Sequence, residues 1–196
     1  MNQADRRVRR TKKVLQESLA VLFNEKKLEN ITIRELTDYA DVHRSTFYAH
    51  YEDIYALYTE IEDSVIEQLN QLINENFTVD LTQYYQLLFT YVDQNQKFCK
   101  MLFSDHAPAT FLARLTVLFQ SACFKSWQVI LQTEYISEEL LYLADYQVQG
   151  SFMLVRRWSK SDFSFSKEKL IEMIATIDEE ISNQLVKKKF SNRLNL

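Results

Sequence analysis

Apolar residues recur every three to four positions along most of the chain, in runs separated by short polar breaks. Val14, Leu15, Leu19, Leu22 and Phe23 make one such stripe, and Ile33, Leu36 and Ala40 a second, shorter one. That spacing belongs to helices that bury one face. Ile54, Leu57, Tyr58, Ile61, Val65, Leu69, Leu72 and Ile73 hold the same register for about five turns, which predicts one continuous helix. Beyond Asn76, helices are predicted at about 81–93, 95–104, 108–132, 138–159 and 167–188. Pro108 suits a first helical turn, and Ser137 and Ser166 stand as N-caps.

The stretch from Ile31 to Leu57 is the most informative. Thr32 with Glu35 three residues on reads as a capping box, so a helix starts at Ile33. Asp41-Val42 then stops it, because a turn-favouring residue followed by a β-branched one extends a helix poorly. A second helix, from about Arg44 to Tyr51, is too short to stand alone and has to be held by packing. At 100° per residue, Phe47 and Tyr51 fall on one side and Ser45 and Ala49 on the other, flanked by Thr46 and Tyr48. Small residues ringed by hydrogen-bonding groups suit a helix face that approaches a groove floor closely, with Arg44 and His50 at the margins to meet base edges or phosphates.

Composition sharpens this picture. The 196 residues contain one Gly and one Pro, far below average usage, so hairpins and irregular loops are few and the fold class is all-α, with about nine helices. The hydrophobic content of 46% supplies a substantial core. Cys99 and Cys123 give neither a disulfide framework nor a metal spacing, in keeping with a reducing cytosol. No apolar run reaches membrane-spanning length and no signal peptide is evident, so a soluble cytoplasmic protein with no membrane association is expected. The net charge is −4, yet Arg6, Arg7, Arg9, Arg10, Lys12 and Lys13 stand against Asp5 alone in the first 13 residues. A basic arm on an acidic body favours one docking face on DNA.

The run D-V-H-R-S-T-F-Y-A-H-Y-E-D-I-Y-A-L, preceded by I-T-I-R-E-L-T-D-Y-A, resembles the helix-turn-helix of the TetR family of transcriptional regulators. The family pattern is roughly A-G-V-S-[KR]-G-T-[FLI]-Y-x-[HY]-F-x-[DS]-K-x-x-L. Arg44, Thr46, Phe47, Tyr48, His50, Tyr51, Asp53 and Leu57 match it. Asp41 stands where glycine is usual, so the turn has to accept a Cβ, which Asp tolerates better than most residues in a left-handed conformation. Ile54 replaces a frequent phosphate-contacting lysine and Glu52 another frequently basic residue, so that contact does not carry over.

The resemblance implies an N-terminal three-helix DNA-binding domain over 1–58 and a helical effector-binding and dimerisation domain over 59–196. It implies that Arg44, Ser45, Thr46, Tyr48 and Ala49 face bases or nearby backbone, and that Thr32, Arg34 and His50 contact phosphates of double-stranded DNA. It also implies a small-molecule effector pocket in the aromatic-rich region, where Tyr84, Tyr85, Phe89, Phe98, Phe103, Phe119 and Trp127 are the candidates. The apolar stripes of the last two helices, including Leu170, Ile171 and Leu185, exceed what one neighbouring helix covers. Tyr146, Gly150, Leu154, Trp158, Ile174, Ile177 and Ile181 are therefore expected in a homodimer interface, with Gly150 permitting close helix approach.

No enzymatic constellation accompanies these features. His43, His50 and His106 are preceded three positions earlier by Ala40, Phe47 and Phe103, which excludes the Glu-x-x-His pairs of a di-iron bundle. One glycine excludes a glycine-rich phosphate loop, and no cofactor is called for. The reading is a ligand-responsive repressor that binds a palindromic operator as a homodimer. The alternative is an interaction module, or an activator working through a partner, with weak DNA binding of its own.

Overall fold

A computed structural model describes the backbone of residues 3–193 and the side chains of 5–184. Leu185 and the lysines from Lys187 onward therefore lie outside the described side chains. Among the described residues there are nine α-helices and no strand, and the chain divides into two compact units.

The first unit comprises Met1–Gln68 and Asn95–Leu112. It holds α1 (Gln3–Leu22), α2 (Ile33–Ala40), α3 (Arg44–Tyr48), the first part of α4 (Ile54–Glu75), α6 (Gln96–Leu102) and the start of α7 (Ala109–Leu131). The predicted stripes face inward: Leu15, Leu19, Phe23, Leu36, Phe47 and Leu57 are fully buried, joined by Met101, Leu102 and Phe111. α1 packs against both α2 and α6. The Phe23 and Tyr58 rings stack at 5.6 Å, a geometry worth more than the buried area alone.

Two local differences from the predicted elements have simple causes. α1 begins at Gln3 and not near Val14, because Arg and Lys are good helix formers and extend it as a solvated, basic helix. α3 ends at Tyr48 and not at Tyr51. Both His50 and Tyr51 amides donate to the Phe47 carbonyl at 2.9 Å, and the chain then leaves the helix so that the Asp53 carboxylate can accept the Ala56 amide at 2.8 Å and cap α4.

The second unit comprises Leu69–Gln94 and Ala113–Leu196. It holds the end of α4, α5 (Leu81–Gln94), most of α7, α8 (Glu138–Lys160) and α9 (Lys167–Arg193). α5 runs along α9, tied at one place by a Lys167–Asp93 ion pair of 3.0 Å. Trp127, Leu140 and Ala144 form a buried cluster with Phe124, Ile136 and Leu143 around it.

The turn between α2 and α3 is closed by backbone alone. Asp41 sits at φ 52°, ψ 47°, its amide reaches the Asp38 carbonyl and the Val42 amide reaches the Thr37 carbonyl at 3.0 Å. This is a Schellman ending, in which glycine is the usual left-handed residue. A left-handed conformation costs an ordinary L-residue roughly 1–2 kcal/mol, less for Asp. Asp41→Gly is therefore expected to raise stability in urea denaturation by up to about 1 kcal/mol, whereas the β-branched Asp41→Val lowers it by about 1–2 kcal/mol.

Candidate nucleic-acid interface

α2 is started by Thr32, whose Oγ1 accepts the Glu35 amide at 3.1 Å. The return half of the predicted capping box is replaced: the Glu35 carboxylate takes the Lys26 ammonium at 2.5 Å, a charged donor that outcompetes a backbone amide. The Thr37 hydroxyl donates to the Ile33 carbonyl at 2.8 Å, keeping a buried polar group satisfied.

α3 has five residues and no side-chain cap at His43. Its inward anchor is Phe47, fully buried, with the Tyr48 and Tyr51 rings each 5.6 Å away. On the outward side Arg44, Ser45, Tyr48 and Ala49 are exposed, and Thr46 and His50 are half-buried. Thr32 and Arg34 are exposed on α2, where Arg34 Nε lies 3.6 Å from Asp38, an exposed pair of small worth. These eight residues thus come from the start of α2 and from α3 with the two residues after it, and present hydrogen-bonding groups around one exposed tyrosine, with Arg34 and Arg44 supplying the charge.

A carboxylate that sequence reasoning missed holds this arrangement. Glu60 of α4 accepts hydrogen bonds from Lys12 at 2.7 Å, Gln16 at 3.0 Å and the Tyr51 hydroxyl at 3.1 Å. Burial, then the Glu60 charge, pushes the Tyr51 phenol above its usual range. Lys12 also lies over the Tyr51 ring at 5.2 Å, so it belongs to the fold and not to the free basic surface. Arg6, Arg7, Arg9 and Arg10 remain exposed on α1. Ile54 is buried, so the position that departs from the family pattern serves the core.

In the second unit, the aromatic candidates separate into groups. Tyr84, Tyr85, Phe89 and Phe119 share ring contacts at 5.5–6.4 Å, while Trp127 sits in the cluster with Leu140. Phe98 and Phe103 belong to the first unit, Phe103 packing edge-on to Phe111 at 5.8 Å. The Tyr85 hydroxyl donates to the buried carboxyl of Asp178, and the Gln147 side chain hydrogen-bonds to the same carboxyl. Burial raises the Asp178 pKa in spite of both partners. Burial also pushes the Cys99 and Cys123 thiols up to about 12, so both stay protonated at neutral pH.

Residues 79–179, just over half of the chain, match the family model described as "Transcriptional regulator C-terminal region", a TetR-type domain. The chain belongs to the TetR family of transcriptional regulators. Solved structures that share its fold include the following two. One is a TetR transcriptional regulator from Streptococcus agalactiae, 24% identical, covering 89% of this chain and 96% of its own, with a TM-score of 0.58. The other is the dihydroxyacetone kinase operon activator DhaS, 20% identical over 85% and 93% of the two chains, also with a TM-score of 0.58. No curated protein sequence matches. This family and fold are those of regulators and not of enzymes, and among the described residues no helix is long and apolar enough to cross a membrane.

Against this TetR background, the residues expected at a dimer interface divide by exposure. Tyr146 is 62% and Ile177 47% exposed, Leu154 and Ile181 are half-buried, and Trp158 and Ile174 are buried within their own chain. The Trp158 indole donates to the Phe165 carbonyl at 2.9 Å. Gly150 is exposed, with nothing within 4 Å of an added Cβ, so no close helix approach within the described chain explains it. Tyr142 and Met153, which sequence reasoning passed over, stand exposed with Tyr146 on α8 at helical spacing.

The raised Asp178 pKa has a signed consequence. The folded chain holds this proton more tightly than the unfolded one, so the contribution is complete below the ordinary carboxylate value of about 4 and is lost as pH rises from there to the raised value. Thermal unfolding of the wild type measured against Asp178→Asn should show the wild type losing ground across that window and then running parallel. Parallel curves throughout would assign no titration to Asp178.

Proposed function

We propose that this regulator binds a palindromic operator as a homodimer, each subunit setting α3 into a major groove of double-stranded DNA, the half-sites ~34 Å apart. The observation that carries the reading is the outward face of α3: Arg44, Ser45, Tyr48 and Ala49 exposed, with Phe47 locked beneath. In this reading residues 1–58 recognise DNA and residues 59–196 dimerise and receive a small-molecule effector in the cytoplasm. Thr46 completes the base-facing set, and Thr32, Arg34 and His50 hold phosphates. Tyr142, Tyr146, Met153 and Ile177 supply an exposed apolar surface for a second copy. With Ile54 buried, nonspecific attraction falls to Arg6, Arg7, Arg9 and Arg10 and weakens with salt.

Control follows from α4, one uninterrupted helix from Ile54 to Glu75. An effector that prefers one tilt of α4 alters the spacing of the paired α3 helices and releases DNA, which makes the protein a repressor. A shift from 1:99 to 99:1 needs ~5.5 kcal/mol of differential affinity. A second reading, an activator that works through a partner, is supported by the fold shared with an operon activator and by Glu52 and Ile54 standing where cations are frequent.

If Arg44 reads a base, Arg44→Ala costs ~1–3 kcal/mol of operator affinity and relaxes preference at one base pair. Binding to a panel of single-base operator variants measures this. An equal loss on every sequence would place Arg44 on phosphate, and weak, sequence-blind binding of both proteins that vanishes at physiological salt would favour the partner-dependent reading.

A further inference from the structure

Two spaces in the second unit share part of their walls. One is an open groove of about 610 Å³ along the outer side of α5, within the size range of small-molecule sites. The other is a cavity of about 10 Å³, room for about one water. Leu72, Phe77 and Leu87 line both, together with Asn76 and Thr78.

The chemistry of the groove is uniform. Its apolar part is Leu72, Phe77 and Leu87, its polar part carries the carboxamides of Asn76, Gln83 and Gln86 with threonine hydroxyls, and none of its lining side chains is charged. Asp80 is engaged in capping α5, accepting the Gln83 amide at 2.9 Å. Lys125 sits over the Phe77 ring, 4.6 Å from its centroid. A cationic ligand would meet no carboxylate in that lining and would be repelled by the Lys125 ammonium, whereas a neutral polar one gains carboxamide donors and acceptors.

A second observation points to an occupant. Tyr84 lines the small cavity, and its hydroxyl is buried with no hydrogen-bond partner among the described residues. Buried hydroxyls are almost always paired, because leaving one unpaired sacrifices its hydration. Tyr84 is therefore a polar group that gains when a partner arrives.

We propose that this groove binds a neutral small molecule bearing hydroxyl or carboxamide groups beside an aromatic or apolar portion. The apolar portion lies on Leu72, Phe77 and Leu87, the carboxamides read the polar groups, and a ligand hydroxyl entering past Phe77 pairs with Tyr84. Leu72 is in the last turn of α4 and Asn76 directly follows that helix, so an occupant bears on the helix that carries control. As a seat of regulation the site rests on the effector-responsive reading above.

The test uses the full chain without DNA and two isosteric probes, 4-hydroxybenzamide and the cationic 4-hydroxybenzamidine, followed by saturation-transfer NMR and thermal shift. The amide is expected to bind and raise the unfolding temperature, and the amidinium to bind at least about tenfold more weakly, as an uncompensated positive charge requires. Gln86 and Gln83 are both exposed, so Gln86→Trp, with Gln83→Trp as a second block, fills the groove without disturbing the core and should abolish binding. Tyr84→Phe should unfold at a higher temperature when free, yet bind the amide roughly fivefold more weakly. Equal binding of the two probes, binding that survives both tryptophans, or no binding of the amide overturns the proposal. Operator binding is read separately by anisotropy: a chain that binds DNA and refuses the amide loses this proposal alone, and one that takes the amide but not DNA loses the regulator reading alone.

Discussion

A five-residue helix cannot hold itself. Its few intrahelical hydrogen bonds do not repay the cost of nucleation, and α3 has no side-chain cap to help it. Its orientation is therefore a tertiary property, set by the burial of Phe47 beneath it and by the Tyr51 hydroxyl on Glu60 just beyond it. Burying a phenylalanine contributes roughly 1.5–3 kcal/mol. The Glu60 contacts add less, since its carboxylate is partly exposed and surface ion pairs are weak. Their value is directional, because donors from α1 and from the end of the reading segment converge on one carboxylate of α4.

The same arrangement explains the charge pattern. Lys12 serves that carboxylate and the Tyr51 ring, and Ile54 fills the core where the family often has a lysine. In the proposed reading, positive charge for DNA is thereby concentrated on the exposed arginines of α1, on Arg34 and on Arg44, while residues 59–196 are acidic overall. On that same reading, such a distribution discourages nonspecific coating of DNA and places the weight of affinity on a correctly docked α3.

Much of the fold was legible because its causes are local. The 3.6-residue stripes located the helices of the second unit to within a residue or two, except that α9 runs to Arg193 and not to about 188; Thr32 marked the start of α2, and Asp41 was readable as a left-handed turn residue. The misses have the opposite character. Glu60 bonds to residues 44 and 48 positions away, and Tyr85 to Asp178, 93 positions away; no periodicity encodes such pairings. The helical extension of α1 was hidden because a helix exposed all round carries no apolar stripe. The aromatic candidates were named by type, and ring type does not say which unit a ring belongs to, which is why Phe98 and Phe103 lie apart from Tyr84 and Phe119. The neutral groove on α5 was equally invisible, since glutamines on an outward helix face read as ordinary solvated surface.

The central claim is that the outward face of α3 reads DNA. Its most direct test is fluorescence anisotropy of the purified chain on duplex DNA from immediately upstream of its own gene, against a scrambled duplex, at low and physiological salt, with Tyr48→Ala alongside. Tight wild-type binding to the upstream duplex that survives physiological salt and is lost in Tyr48→Ala is the predicted result. Binding that ignores sequence, vanishes at physiological salt and is unchanged by Tyr48→Ala would contradict it.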